Sequence, residues 1–169
     1  MRRVLPLGLL ALTTVVVQVA VMPHLRLLGV VPDLGLVLTI AVAYHDDAET
    51  AAIVGFVTGL GFDLFLRTPV GASALAYSVT GYLTGVVQAG LIRSSRWLPL
   101  VLGGLGGLVG GLMFVGIAIL AGADALMGSR TLEIVARAAV YDAIAAMVLF
   151  PLVERFVHTR VAPPAPWRG

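Results

Sequence analysis

The sequence predicts an all-α integral membrane protein, a compact bundle of about six transmembrane helices. Three observations lead there. Of 169 residues, 59% are hydrophobic and only 12% are charged, whereas soluble domains carry about 25% charged residues. One small core cannot hide that apolar excess from water, so lipid is the solvent for much of it. The apolar residues also fall into long runs cut by short turn and charge signals, with no soluble domain of useful size between them.

The runs are Val4–Met22, Pro32–Tyr44, Ala48–Leu66, Val70–Ile92, Trp97–Ala121 and Thr131–Phe156. A helix needs about 20 residues to cross a hydrocarbon core of about 30 Å. All but the second run meet that length. The second rises only about 20 Å as a helix. A short, tilted or broken helix shielded by its neighbours is expected there, with Pro32 in the first turn, where its missing N–H costs little. The first run follows Met1-Arg2-Arg3 and ends without a small-residue cleavage pattern, so it reads as a retained span and not as a signal peptide. Residues 161–169 hold three prolines and no periodicity, which predicts a disordered tail behind a single membrane domain over 1–160.

The basic residues are eleven arginines, with no lysine. They sit at run ends, without a basic stripe or interleaved aromatics, which argues against a nucleic-acid partner. The absence of cysteine excludes disulfides and thiolate metal sites. With six spans and a cytoplasmic N-terminus, Arg2, Arg3, Arg93, Arg96, Arg155, Arg160 and Arg168 lie inside, and Arg26, Arg67 and Arg130 lie outside. The positive-inside rule therefore predicts that both termini are cytoplasmic.

No catalytic constellation assembles. His24, His45 and His158 are far apart, and Ser73 has no histidine in a later run to act as its base. Tyr141-Asp142 and Gly59-Leu60-Gly61-Phe62-Asp63 loosely suggest an intramembrane aspartyl dyad, which needs adjacent carboxyls. Their depths differ, however: Asp63 lies about 6 Å from the outer end of its run and Asp142 about 16 Å from the outer end of its own. No enzymatic activity, cofactor or metal is expected. The acidic turn before the third run reads as a capping box of Asp46 with Glu49.

Asp63, Arg137 and Asp142 lie inside apolar runs, where a charge costs at least about 2.5–3.5 kcal/mol. They are expected to form an intramembrane polar cluster facing the bundle interior, with Asp63 and Arg137 paired at matching depth. Glycines recur at four-residue spacing as Gly55 and Gly59, Gly81 and Gly85, and Gly103, Gly107 and Gly111. Such faces let helix backbones approach closely in lipid. The fifth run, with Gly106 and Gly110 beside its stripe, carries enough glycine for two faces, one of them available to a partner protein.

The stretch Gly55-Phe56-Val57-Thr58-Gly59-Leu60-Gly61-Phe62-Asp63-Leu64-Phe65-Leu66-Arg67-Thr68-Pro69-Val70-Gly71 resembles the central signature of the MreD family of rod-shape-determining proteins. That signature is a glycine-containing span with Asp-Leu near its outer end, then a Thr-Pro-x-Gly turn into the next helix. Pro32-Asp33-Leu34 resembles the family's Pro-Asp-Leu. The resemblance implies a multi-pass protein of the bacterial inner membrane that belongs to the cell-elongation machinery. It further implies a non-enzymatic scaffold or regulator of peptidoglycan synthesis that works with the bitopic protein MreC. The glycosyltransferase RodA, a class B penicillin-binding protein and the actin-like MreB are further implied partners, and membrane lipids are the solvent. The implied fold is similar to the substrate-binding subunits of energy-coupling-factor transporters. On this reading the single span of MreC, or its outer base, packs against a glycine-faced groove. The alternative reading is a small-solute-binding transport subunit with a pocket near Asp63 and Arg137.

Overall fold

A computed structural model of the protein describes residues 4–26, 29–65, 69–88, 90, 97–128 and 130–158. Among these residues the chain is helical. The elements are α1 (Val4–Ala20), α2 (Leu34–His45), α3 (Ala48–Asp63), α4 (Ala72–Gln88), α5 (Leu98–Leu120) and α6 (Thr131–His158), with 3-10 turns at Met22–His24 and Asp124–Met127. Each apolar run contains one helix. Arg2, Arg3, Arg67, Thr68, Arg93, Arg96, Arg160, Arg168 and the tail 161–169 lie outside the described residues.

Three helical stretches are long and apolar enough to cross a membrane: Leu5–His24, Leu98–Leu120 and Thr131–Phe156. The helices α3 and α4 have 16 and 17 residues, fewer than the runs from which they were read. One physical reason is visible at Asp63. It ends α3 by turning its carboxylate toward the start of α4, so the apolar run continues past the point where the helix stops.

The shortest helix lies at the centre. α2 has 12 residues and packs against all five others. From Leu36 to Ala43 every side chain is buried. A helix that is apolar all round is stable only where neighbours cover every face, and this explains a segment of about 18 Å in a protein bathed in lipid. Its first turn is set by Asp33, whose side chain accepts the Leu36 N–H at 3.1 Å. Pro32 therefore stands one residue ahead of the cap, and not in the first helical turn as expected.

The acidic turn also differs from the capping box read in the sequence. Asp47 caps α3, accepting from the Thr50 N–H at 2.7 Å and from the Thr50 hydroxyl at 3.0 Å. Asp46 instead closes α2 in an extended conformation and accepts the Asp47 N–H at 3.0 Å. The connection is too short for Asp46 to serve both helix ends.

Glycines decide where helices meet. A Cβ on Gly59 would lie 2.5 Å from the Ser73 carbonyl oxygen and 2.6 Å from the Ala74 Cα. On the facing helix, a Cβ on Gly85 would lie 2.6 Å from the Ala48 Cα. α3 and α4 thus form a hairpin in backbone contact, and Gly81 admits the methyl of Thr39 from α2. Along α5, Gly103, Gly107 and Gly111 face α6, while Gly106 and Gly110 seat Ile40 and Leu36 of α2. Both glycine faces of α5 are occupied from within the chain. The expectation that one of them is free for a partner is therefore corrected.

Candidate functional site

The polar side chains gather at one end of the bundle, where α1, α3 and α5 finish and α2, α4 and α6 begin. Gln18, near the end of α1, donates from Nε2 to the Pro32 carbonyl at 2.9 Å and accepts the Leu34 N–H at 3.0 Å. Between those two residues, the Asp33 N–H donates to Asp142 Oδ1 of α6 at 2.6 Å. The Tyr77 hydroxyl of α4 donates to Asp33 Oδ2 at 2.5 Å. Helix N-termini leave backbone donors without internal partners, and a lipid-facing bundle has no water to supply them. Gln18 of α1 and Asp142 of α6 accept such N–H groups here, the Tyr77 hydroxyl of α4 bonds the capping carboxyl of Asp33, and together they fasten α1, α4 and α6 to the entry of α2.

Asp63 answers the same need in the α3–α4 hairpin. Its two carboxylate oxygens accept the N–H groups of Gly71 at 2.8 Å, Ser73 at 3.1 Å and Ala74 at 3.2 Å. Gly71 has φ +100°, a left-handed conformation that suits glycine. Gly59 brings α3 close enough for the carboxylate to reach. Of the motif that carried the family resemblance, Gly59, Asp63, Pro69 and Gly71 thus build one turn, and Thr68 lies outside the described residues.

The expected ion pair between Asp63 and Arg137 is not formed. Arg137 pairs with Glu133 one turn earlier on α6, and the two side chains are 48% and 55% exposed. Asp63 has no need of a guanidinium, because three N–H groups at the positive end of α4 hold its charge. Asp142 and Arg137 are five residues apart, roughly 140° around a helix, so they cannot both face the interior. The cluster read as Asp63, Arg137 and Asp142 resolves into Asp33 with Asp142, a separate Asp63 cap, and an exposed Arg137.

Nor do Asp33 and Asp142 make a proton-sharing dyad. Asp142 receives the backbone of Asp33, while the Asp33 carboxyl turns to Leu36 and Tyr77. Gln18 and Tyr77 escaped the sequence reading. Gln18 is the one amide side chain in a first helix whose other polar residues, Thr13 and Thr14, bond their own helix backbone, and that was the available signal. Tyr77 offered none, since its partner lies 44 residues away.

Beside Asp33, Asp142 and Tyr77 lies a cavity of about 650 Å³, walled by apolar side chains including Leu36, Phe62 and Phe114. Arg26 also lines it and is exposed. Neither Asp63 nor Arg137 lines it, although their chain neighbours Phe62 and Ala138 do, and its acidic residues are Asp33 and Asp142.

The sequence pattern of one family, rod shape-determining protein MreD, matches residues 1–160. The chain belongs to the MreD family. MreD is a family of shape-determining proteins and is not known for enzymatic activity, so membership assigns a part in rod-shape determination. Comparison with curated proteins and with solved structures finds no match. The three long apolar helices agree with a membrane setting for an MreD protein. In this MreD chain the motif residues Asp33 and Asp63 each cap a helix, and this gives the family resemblance a physical content.

Proposed function

We propose that the protein is a non-enzymatic scaffold of the bacterial inner membrane, acting in peptidoglycan synthesis and rod shape in complex with an MreC-like bitopic protein. RodA, a class B penicillin-binding protein and an MreB-like actin complete the machinery on this reading. On this reading the bundle is multi-pass with both termini cytoplasmic, and the short α2 is shielded by the five helices around it. The observation that carries the reading is the family match over residues 1–160. Supporting it, the half-buried Asp33 and the buried Asp63 are used as helix caps, a structural employment.

With both glycine faces of α5 filled, the docking surface moves to a groove of about 290 Å³ between α1 and α3. Leu7, Ala11, Ile53 and Val57 line it, and Asp46 and Asp47 stand at one end. Gly8, also in its lining, has nothing within 4 Å of the position a Cβ would take. An apolar helix with basic residues at its cytoplasmic end fits this surface by charge, since cytoplasmic flanks of single spans are rich in arginine and lysine. Co-expression with the bitopic partner and co-purification from membranes tests this. Gly8→Trp, which fills the groove, is expected to abolish co-purification and to round the cells, while leaving the protein in the membrane. Undiminished co-purification with Gly8→Trp contradicts the groove, and failure of the wild-type pair to co-purify contradicts the complex.

A further inference from the structure

The cavity at the start of α2 has a chemistry that the scaffold reading does not use. Asp142 is 1% exposed, and its Oδ1 accepts the Asp33 N–H. No described residue donates a hydrogen bond to its Oδ2. That oxygen lies against Gly107 on the cavity wall, where a Cβ would stand only 2.6 Å away. Among the described residues neither Asp33 nor Asp142 takes part in an ion pair. Among the described residues Arg26 is the one basic side chain of the lining, and it is exposed. A buried carboxyl group without a counter-ion, as at Asp142 beside this open cavity, favours a cation.

We propose that this cavity binds a ligand carrying an ammonium group on an apolar body, with Asp142 Oδ2 as the principal acceptor. An ammonium brings three donors and no acceptor. Asp142 Oδ2 and the lone pairs of the Tyr77 hydroxyl oxygen can receive two of them. A metal ion suits the site less well, since no group of three or more His, Asp or Glu side chains comes together among the described residues. The walls of Leu36, Phe62, Phe114 and Val135 take the apolar body, as in most small-molecule sites, where a few polar groups orient a ligand held by apolar surface. A volume of about 650 Å³ accommodates far more than an ammonium head alone. The chemistry is shared by the headgroup of an amino-phospholipid and by a dissolved amine. The proposal is independent of the groove between α1 and α3.

The test uses the full chain in phosphatidylcholine nanodiscs, titrated with n-hexylammonium and, for comparison, n-hexanol by calorimetry. Saturable binding of n-hexylammonium is expected, weakened by about tenfold or more in Asp142→Asn, the scale of one lost charge contact. n-Hexanol should not distinguish the two proteins. Ala138→Leu keeps both carboxyl groups and fills the cavity from α6. It is expected to weaken n-hexylammonium binding as well, and it carries the test if Asp142→Asn fails to fold. Repeating the titration in phosphatidylethanolamine discs separates the sources. Weaker binding there assigns the site to a lipid headgroup already in place, and equal binding assigns it to a dissolved amine. Equal affinity of n-hexylammonium for wild type, Asp142→Asn and Ala138→Leu overturns the proposal, as does the absence of saturable binding to the wild type.

Discussion

Asp63 accepts three backbone N–H groups at the start of α4, and the positive end of that helix takes the place of the arginine the sequence suggested. Its place at the end of α3 was legible from residue counting. Its partner was not, because a count along the chain gives height in the membrane and says nothing of which way a side chain faces. Arg137 shows the same limit, since it lies on the exposed face of α6, beside Glu133. The energetic consequence is testable by a double-mutant cycle. Asp63→Ala leaves buried N–H groups unsatisfied, at about 1–3 kcal/mol for each such group. Arg137→Leu is expected to add its own small effect without rescuing Asp63→Ala in a denaturation assay. Rescue by Arg137→Leu would restore the buried pair. Outside the spans, hydrogen bonds from the Thr50 amide hold Asp47 below the usual carboxylate range. A lowered folded pKa means that the cap stabilises above the ordinary carboxylate pKa and is lost as the pH falls through the depressed value. Asp47→Ala should cost about 0.5–2 kcal/mol at neutral pH, a difference that shrinks in unfolding measured toward pH 3. A difference independent of pH contradicts the cap.

At the level of elements, hydropathy marked six apolar runs, and each contains one helix. A short second helix under the cover of its neighbours was legible as well, because the apolar run Pro32–Tyr44 is too short to cross a bilayer alone. Boundaries were read less well. Asp46 and Asp47 both suit a helix cap, and only the geometry of the tight connection assigns α3 to Asp47. Glycine spacing marked the close approaches but not which helices make them, so α5 was credited with a free face that α2 in fact fills. Substitutions sort the glycines. Gly59→Ala forces α3 away from the Ser73 carbonyl and is expected to lower the thermal midpoint in detergent by several degrees, a loss of about 1–3 kcal/mol. Gly116→Ala meets nothing within 4 Å and is expected to be neutral or to stabilise by up to about 1 kcal/mol through helix propensity. Equal effects of the two contradict the packing described for the hairpin.

For the whole molecule, the central helix α2 is where the fold and the proposed ligand site join. Its entry is held by Gln18, Tyr77 and Asp142 from α1, α4 and α6, and the cavity opens beside the same atoms. That assembly was not legible in the sequence, since Asp33 and Asp142 are 109 residues apart and no local pattern links them. The partner surface is legible only by elimination, once the glycine faces are seen to be filled and the acidic end of the α1–α3 groove remains. On the proposed function the chain works by holding another membrane protein in that groove. The absence of cysteine from the sequence permits a direct measurement, disulfide cross-linking in native membranes between single cysteines introduced here and along the span of the bitopic partner. Cysteines at Ile53 and Val57, exposed on the groove side of α3, are predicted to cross-link at positions one helical turn apart on the partner. Ile144, exposed on α6, is predicted not to cross-link. Cross-links at Ile144 with none at Ile53 or Val57 would place the partner on α6 and contradict docking in the groove.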